Sequence, residues 1–249
     1  MTKSVINNLF ASTCLQIDAP LDAVQLEQVA HFCQLLALYN AHTNLVADAE
    51  ITVVLRDHVM DSLSLVPTIV SRPRAKEGSN RLIDIGSGAG FPGLILAIAL
   101  RHLSVTLVES VGKKARFLED TVSKIALSHR VEVKQVRAEE LAHQAQYRGK
   151  FDLATGRALG SLAIVVELTA PFLSIGGVCL LQKTVKQSEE EAPKARANLQ
   201  KLGARLIKTI VLDAEILGKE RAVMLIEQVK PANAKYPRRW AQIKQAPLF

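Results

Sequence analysis

Residues 82–93 read LIDIGSGAGFPG, in which an apolar run leads directly into a cluster of glycines and a second apolar segment follows. Glycine lets the backbone turn tightly and lets a ligand lie against it, because no Cβ stands in the way. Pro92 falls where the second segment starts, and proline is readily accommodated in the first turn of a helix. In an open parallel sheet, ligands bind at the carboxyl ends of strands. These residues therefore predict an α/β fold with a ligand held against the turn.

Downstream of this turn, short β-type runs alternate with helical segments, which is the pattern of βαβ units and a parallel sheet. Strands are predicted at residues 81–85, 105–108, 131–136, 151–154, 178–182, 205–212 and 222–227. Helices are predicted at residues 91–100, 113–127, 162–173 and 188–202. This alternation predicts a Rossmann-like α/β fold with a mostly parallel seven-stranded sheet. Because no helix separates the last two strands, we expect them to form an antiparallel hairpin at one edge.

The residues before the glycine turn form a different kind of segment. Residues 21–39 and 53–66 are predicted as helices, since the first carries apolar side chains at helical spacing. Residues 67–80 contain two prolines, a glycine and three basic residues and are predicted as a linker. The expected organisation is a helical lobe at residues 1–75, an α/β domain at 76–230 and a basic tail at 231–249.

Charge, cysteine content and apolar runs indicate which partners and which cellular location to expect. The 249-residue chain has a formal net charge of +7, which favours a polyanion such as nucleic acid, although a generic basic surface explains it as well. Its three cysteines are widely spaced and form no CxxC pair, so we expect neither a disulfide framework nor a metal site. Residues 1–20 lack the apolar run of a secretory signal, and the apolar run at 94–100 is too short to cross a membrane. A cytoplasmic protein without a membrane partner is expected.

The glycine turn fits two kinds of cofactor. Gly88, Gly90 and Gly93 have the spacing of a dinucleotide fingerprint, which would indicate an NAD-dependent oxidoreductase. Asp84 followed by Gly86, Gly88 and Gly90 resembles motif I of class I S-adenosylmethionine-dependent methyltransferases. The second alternative is favoured, because the dinucleotide pattern has an apolar residue where Asp84 stands. In that interpretation Asp84 anchors the turn and helps to hold the methionine ammonium group.

Two later positions are predicted to complete a nucleoside site. Glu109 ends the predicted second strand, where a carboxylate can accept hydrogen bonds from both ribose hydroxyls. Both NAD and S-adenosylmethionine contain a ribose, so Glu109 does not distinguish them. Backbone N–H groups near Ala138 and Glu139 are placed to reach an adenine ring. An ordinary helix start with acidic residues in its first turn explains the same sequence.

Several short segments, spread over nearly the whole chain, occur together in a specific order. They are Tyr39-Asn40 with Thr43-Asn44-Leu45, Arg56-Asp57-His58 with Asp61-Ser62, residues 84–93, Glu109-Ser110 with Gly112-Lys113-Lys114, Arg116 and Phe117-Leu118, Gly156-Arg157-Ala158, Leu181-Gln182-Lys183, and Tyr236-Pro237-Arg238-Arg239 with Pro247-Leu248. In this order they resemble the family of ribosomal RNA small subunit methyltransferase G, also called glucose-inhibited division protein B. Two positions depart from its pattern: Gly156 replaces a serine, and Thr184 replaces the glycine after the fifth-strand lysine.

The resemblance implies a class I methyltransferase fold and transfer of a methyl group from S-adenosylmethionine to N7 of a guanine in the decoding-region loop of 16S rRNA. The product would be S-adenosylhomocysteine, and the partner would be 16S rRNA or the small ribosomal subunit rather than DNA. It further implies that Gly86, Phe91, Ala138, Glu139 and Arg157 contact the cofactor. Methylation of another RNA, an NAD-dependent oxidoreductase, and a non-catalytic RNA-binding or ribosome-assembly factor remain open as alternatives.

The chemistry of this reaction makes modest demands on side chains. Guanine N7 has an exposed lone pair and no proton to lose, so placement in line with the sulfonium matters more than a general base. We therefore expect no catalytic residue in the strict sense, and Arg157, His58 and Lys183 are the candidates for positioning the base. Cys179 lies in an apolar strand and is interpreted as core. The predicted RNA contacts are Arg56, His58, Lys113, Lys114, Arg116, Lys183, Arg238 and Arg239.

Overall fold

Seven strands form a single sheet in the order β3-β2-β1-β4-β5-β7-β6. The structure is a computed structural model that describes residues 3–72 and 80–249. The strands are β1 (Asn80–Ile85), β2 (Leu103–Val108), β3 (Val131–Lys134), β4 (Phe151–Gly156), β5 (Leu173–Lys183), β6 (Ala204–Val211) and β7 (Ala222–Gln228). The first five pair in parallel, whereas β7 runs antiparallel to both β5 and β6. The predicted mostly parallel sheet with an antiparallel edge hairpin is confirmed.

Helices cover both faces of this sheet. They are α1 (Lys3–Gln16), α2 (Ala23–Thr43), α3 (Ile51–Val54), α4 (Met60–Leu63), α5 (Val66–Val70), α6 (Gly93–Ala99), α7 (Gly112–Lys124), α8 (Ala138–Leu141), α9 (Leu162–Thr169), α10 (Val185–Asn198), α11 (Ala214–Leu217) and α12 (Trp240–Gln245). The core on one face includes residues of α2, α6 and α7. The core on the other face includes residues of α8, α9, α10 and α12. Strands buried on both faces read as continuous apolar runs, which is why the central strands were recognisable in the sequence.

Strand register places the functional segments next to one another. Ile85, the last residue of β1, pairs with Val108 on β2 and with Gly156 on β4. Because these strands are parallel, the residues that follow them emerge at the same edge of the sheet. The glycine turn, Glu109 and Arg157 are therefore neighbours although they are far apart in the chain.

The helical N-terminal part shares its core with the α/β domain. Phe32 of α2 meets the Phe91 ring edge-on, with centroids 5.3 Å apart, and lies 6.5 Å from the ring of Phe117 on α7. The N-terminal helices thereby fix the position of Phe91 in the glycine turn. The expected domain boundary between residues 75 and 76 lies outside the described residues.

Two predictions about this N-terminal part were wrong in detail. The helix predicted at residues 53–66 begins at Ile51 and ends at Leu63, and its middle, Leu55–Val59, has π-helical hydrogen bonding. The linker predicted at 67–80 begins as helix α5, because Pro67 occupies the first helical turn, where its missing N–H is not needed. Strand β1 already includes Asn80, and residues 73–79 lie outside the described residues.

Other bounds differ for identifiable reasons. The helix predicted at 162–173 stops at Thr169 and is followed by a 3-10 turn, Ala170–Phe172, since Pro171 cannot continue an α-helix. Strand β5 is accordingly longer than predicted and starts at Leu173. Helices α1, α11 and α12 were not predicted: α11 and α12 are short, and the apolar residues of α1 form no clear stripe along one face. In the described ranges, no helix has the length and apolar character needed to span a bilayer.

Candidate functional site

The glycine turn between β1 and α6 follows the geometry that its sequence predicts. Gly86, Gly88 and Gly90 all have positive φ, at 67°, 57° and 98°, which side chains with a Cβ rarely adopt. Gly93 is required by close packing, because a Cβ there would lie 2.6 Å from the Cβ of Asp84. The turn thus presents bare backbone at the carboxyl edge of the sheet.

The side chain of Asp84 holds this turn through hydrogen bonds. Its side chain is fully buried and accepts hydrogen bonds from the Gly93 N–H at 3.1 Å and the Thr155 hydroxyl at 2.9 Å. Burial raises the pKa of the Asp84 carboxyl to about 6. These bonds tie the start of α6 to β1 and β4, whereas the predicted contact with a methionine ammonium group stays a prediction.

Glu109 reaches back from the end of β2 into the turn. One carboxylate oxygen accepts from the Gly88 N–H at 3.0 Å, and the other accepts from the Val111 N–H at 2.8 Å. The residue is 6% exposed, so its orientation is fixed. Each carboxylate oxygen retains a second lone pair, and the two can accept the hydroxyls of a vicinal diol.

Two adjoining cavities lie along this edge. The larger is about 360 Å³, and its wall includes Gly86, Gly88, Phe91, Glu109, Lys114 and Arg157. The smaller is about 110 Å³, and its wall includes Val136, Ala138, Glu139, Leu168 and Trp240. Gly86, Ser110 and Leu159 border both cavities. The larger cavity alone falls in the size range of small-molecule sites. The two neighbouring cavities are together called the groove below.

The groove has the chemical features that an adenine nucleoside needs. Ala138 and Glu139 start α8, where backbone N–H groups have no intrahelical acceptor and can bond an adenine edge. Glu109 lies in the wall of the larger cavity and suits a ribose, with the glycine turn beside it. Gly86 must stay small, because a Cβ there would lie 2.4 Å from Cδ2 of Leu159. These groups therefore fit the nucleoside part of S-adenosylmethionine.

Arg157 is the centre of a second group of side chains at the mouth of the groove. Its Nη1 lies 3.1 Å from Oδ2 of Asp61, and its Nη2 lies 3.0 Å from Nδ1 of His58. The guanidinium also lies over the Phe91 ring, 5.0 Å from the centroid. Burial lowers the pKa of Arg157, but an arginine remains charged at any physiological pH.

His58 completes this group as a neutral ring. It stacks on Phe91 with centroids 4.9 Å apart and an interplanar angle of 26°. Burial, reinforced by the charge of Arg157, lowers the pKa of His58 to about 4. At neutral pH His58 is uncharged, and its Nδ1 accepts the hydrogen bond from Arg157.

Two basic residues at this mouth were missed by the sequence analysis. Nε of Arg221 lies 3.1 Å from Oδ1 of Asp61, and Nζ of Lys219 donates to the backbone oxygen of Asp57 at 2.8 Å. Both residues precede β7. The available signal was the predicted antiparallel hairpin, because an antiparallel strand starts at the edge where the parallel strands end.

Lys183 and the two family departures have local explanations. Nζ of Lys183 lies 3.1 Å from Oε2 of Glu191 and donates to the backbone oxygen of Gly160, so this lysine is already paired. Thr184 caps α10 in a reciprocal arrangement with Gln187. Gly156 sits in a tight space, since a Cβ there would lie 3.1 Å from Cγ1 of Val165.

The predicted RNA contacts fall into different environments. Lys113 and Arg116 are exposed on α7, and Lys114 borders the larger cavity. Arg56 is exposed and pairs with its neighbour Asp57. In the tail, Arg239 is exposed. Arg238 instead forms an ion pair with the fully buried Glu167, with Nη2 2.7 Å from Oε2. All of these RNA contacts stay predictions, and the pairing of Arg238 leaves it less accessible than Arg239.

Comparison with known proteins identifies relatives over most of the chain. Residues 25–223 match the GidB family, described as rRNA small subunit methyltransferase G. The chain is 39% identical over 229 residues to ribosomal RNA small subunit methyltransferase G of Dehalococcoides mccartyi, covering 92% of this chain and 94% of that protein. It is 37% identical to the protein of the same name from Limosilactobacillus reuteri, with 88% and 89% covered.

The fold is shared with more distant proteins of solved structure. A candidate O-methyltransferase from Klebsiella pneumoniae superposes with a TM-score of 0.55 at 13% identity, covering 91% of this chain and 97% of that chain. At this identity the likeness shows the fold alone, a mostly parallel sheet with helices on both faces.

Proposed function

The chain belongs to the family of rRNA small subunit methyltransferase G, and we propose that it transfers a methyl group from S-adenosylmethionine to N7 of a guanine in the decoding-region loop of 16S rRNA. The proposed product is S-adenosylhomocysteine, and the proposed place of action is the cytoplasm. The observation that carries the proposal is the wall of the larger cavity, where Glu109, bonded to the glycine turn, faces the same space as Arg157 and His58, so that a ribose site and a base-binding group adjoin.

When bound, S-adenosylmethionine supplies a methyl group on a positively charged sulfur, so that transfer breaks the C–S bond and forms a C–N bond with N7. The chain's residues act by placing the base. The neutral His58 ring, held on the buried Phe91, lines the larger cavity, where it can contact the base. Arg157 has N–H donors of the kind that bind guanine O6.

The neutral state of His58 also suits the charge that this reaction creates. Methylation at N7 leaves a positive charge on the guanine ring, and no proton has to be removed. A histidine whose pKa is lowered to about 4 adds no opposing charge beside that ring at neutral pH. The carboxylate of Asp61 offsets part of the positive charge around Arg157.

RNA binding is proposed for the basic surface around the groove. Lys113 and Arg116 on α7 and Arg239 in the tail are exposed, and Lys114 borders the cavity itself. Neutralisation of phosphates by such residues releases counterions, so affinity for rRNA should fall steeply as salt rises. A flat response to salt would count against a polyanionic substrate.

The direct experiment is methyl transfer from labelled S-adenosylmethionine to purified small subunits and to naked 16S rRNA, both lacking the modification. Sites of N7-methylguanine are then mapped by chemical cleavage of the RNA. We expect one labelled guanine in the decoding-region loop, and no label with protein carrying Gly86→Asp. Label on another nucleotide, or on a ring atom other than N7, would overturn the proposed target.

A further inference from the structure

The basic C-terminal segment, residues 231–249, folds back onto the protein. Tyr236 and Ile243 are buried, with 5% and 0% exposure. Arg148 fastens the segment at one end: its Nη1 donates to the backbone oxygen of Tyr236 at 2.8 Å, and its Nη2 donates to that of Ala232 at 2.9 Å. The same Nη1 donates at 3.0 Å to the oxygen of Ala142, directly after α8. One guanidinium thus joins the C-terminal segment to the α8 region.

A second attachment joins the segment to α9. The side chain of Glu167 is fully buried, and its Oε1 accepts from Nε of Arg238 at 2.8 Å and from the backbone N–H of Arg238 at 3.0 Å. Nη2 of Arg238 also donates to the backbone oxygen of Ala246 at 2.9 Å, which holds the far end of α12. A ring nitrogen of His143 lies 3.0 Å from the oxygen of Pro237.

These attachments converge on the smaller cavity. Ala138 and Glu139 of α8, Leu168 of α9 and Trp240 of α12 all belong to its wall. Trp240 is the first residue of α12 and is partly buried against the core shared with α8 and α9. Its position is set by Arg238, two residues earlier in the chain.

We propose that Trp240 forms one wall of the adenine subsite, so that the C-terminal segment is part of the cofactor site. The inference rests on the proposed function, since it takes the cofactor to be an adenine nucleoside. An indole offers a large, flat apolar surface, and aromatic rings pack favourably against one another. Val136, Leu168 and Trp240 would surround the ring with apolar surface, while the backbone of Ala138 and Glu139 bonds its edge.

The same tail contains two predicted RNA contacts, Arg238 and Arg239, and a tryptophan among basic residues is also a surface on which an RNA base can stack. Exposure to solvent separates the phosphate-binding role from the cofactor role. Lys235, Arg239 and Lys244 are exposed and remain available to phosphates, whereas Trp240 borders the cavity. An RNA-stacking role for Trp240 is therefore an outcome that the experiment must distinguish.

Trp240 is the chain's one tryptophan, so its intrinsic fluorescence reports this position alone. S-adenosylhomocysteine is titrated into the full-length protein, with fluorescence and calorimetry recorded in parallel. We expect a saturable change in emission whose midpoint matches the calorimetric Kd. The Trp240→Ala variant should raise that Kd roughly tenfold, and Trp240→Phe should raise it less, because a ring is retained. Gln245→Ala, an exposed change in the same helix, should leave the Kd unaltered.

The outcomes separate this inference from the proposed function. If wild type binds S-adenosylhomocysteine with no change in emission, or if Trp240→Ala binds it equally well, Trp240 is not in the adenine subsite. A Trp240→Ala variant that loses affinity only for rRNA would assign the ring to RNA stacking and overturn the inference. If wild type binds no S-adenosylhomocysteine, the proposed function fails together with it.

Discussion

Arg157 and Asp61, far apart in sequence, form an ion pair at the mouth of the groove, with Nη1 3.1 Å from Oδ2. Asp61 is almost completely buried, and its carboxylate also approaches Arg221 at 3.1 Å and Lys219 at 3.8 Å. A buried carboxylate shared by three cations holds the loops after β4 and before β7 together. Its removal leaves like charges crowded without compensation.

Replacing Asp61 should therefore reduce stability. We expect Asp61→Asn to lower the free energy of unfolding by about 2 kcal/mol, less than for a fully enclosed pair because its partners reach solvent. Urea titration measures this loss. Asp57→Asn is the matched control, and it should cost less because Asp57 is about a third exposed. Equal losses in the two variants would contradict the role given to Asp61.

Neighbouring arginines in the tail should respond differently to substitution. Arg238→Ala leaves Glu167 buried without its partner and should destabilise the protein by about 3 kcal/mol. Arg239→Ala should leave stability unchanged and weaken binding to rRNA, with a smaller salt dependence. Thermal unfolding and filter binding on both variants check the pair. A loss of stability in Arg239→Ala together with a loss of rRNA binding in Arg238→Ala would contradict the structural role given to Arg238 and the RNA-binding role given to Arg239.

The sheet and the cofactor turn could be predicted from the sequence, but the side-chain pairs that form only through tertiary contacts could not. Central strands were recognisable as apolar runs, and Gly86, Gly88 and Gly90 each meet a local demand of the backbone for positive φ. The pairing of Asp61 with Arg157 has no local signature, because it depends on strand order. Arg238 and Arg239 are chemically identical in sequence, and only packing against α9 distinguishes them.

Glu109 should contribute to cofactor affinity through its charge. Glu109→Gln keeps the size of the side chain, but its NH2 group replaces one carboxylate oxygen and must face the backbone N–H of either Gly88 or Val111. We expect the Kd for S-adenosylhomocysteine to rise by about ten- to a hundredfold, as for a lost charged hydrogen bond. Calorimetry gives the value, and Glu119→Gln, an exposed change on α7, is the control. An unaltered Kd for Glu109→Gln would place the ribose elsewhere.

The depressed pKa of His58 predicts a pH-dependent contribution to stability. The folded value of about 4 lies below the ordinary 6.5, so the contribution is complete above pH 6.5 and is lost as pH falls toward 4. The variant His58→Gln should lack this loss, which we put at about 2 kcal/mol for a half-buried ring. Its stability relative to wild type should therefore improve as the solution is acidified.

The titration of Asp84 changes the stability of the protein in the opposite direction over nearly the same pH range. Its pKa is raised from 3.8 to about 6, so its contribution to stability is lost as pH rises through that range. In the pH dependence of wild-type stability these two opposite contributions partly cancel. The difference in the free energy of unfolding between wild type and His58→Gln isolates the effect of the histidine. Urea titration measures this difference at roughly pH 4.5, 5.5 and 7, which span the window. A difference independent of pH would mean that His58 titrates normally.

Equilibrium binding of S-adenosylmethionine, with NAD as the competing ligand, tests the central claim most directly. A Cβ at Gly86 would meet Leu159, and an aspartate there would place its side chain where the two cavities join. We predict that wild type binds S-adenosylmethionine and not NAD, and that Gly86→Asp abolishes this binding without unfolding the protein. Binding of NAD in preference to S-adenosylmethionine would contradict the account and assign the glycine turn to a dinucleotide.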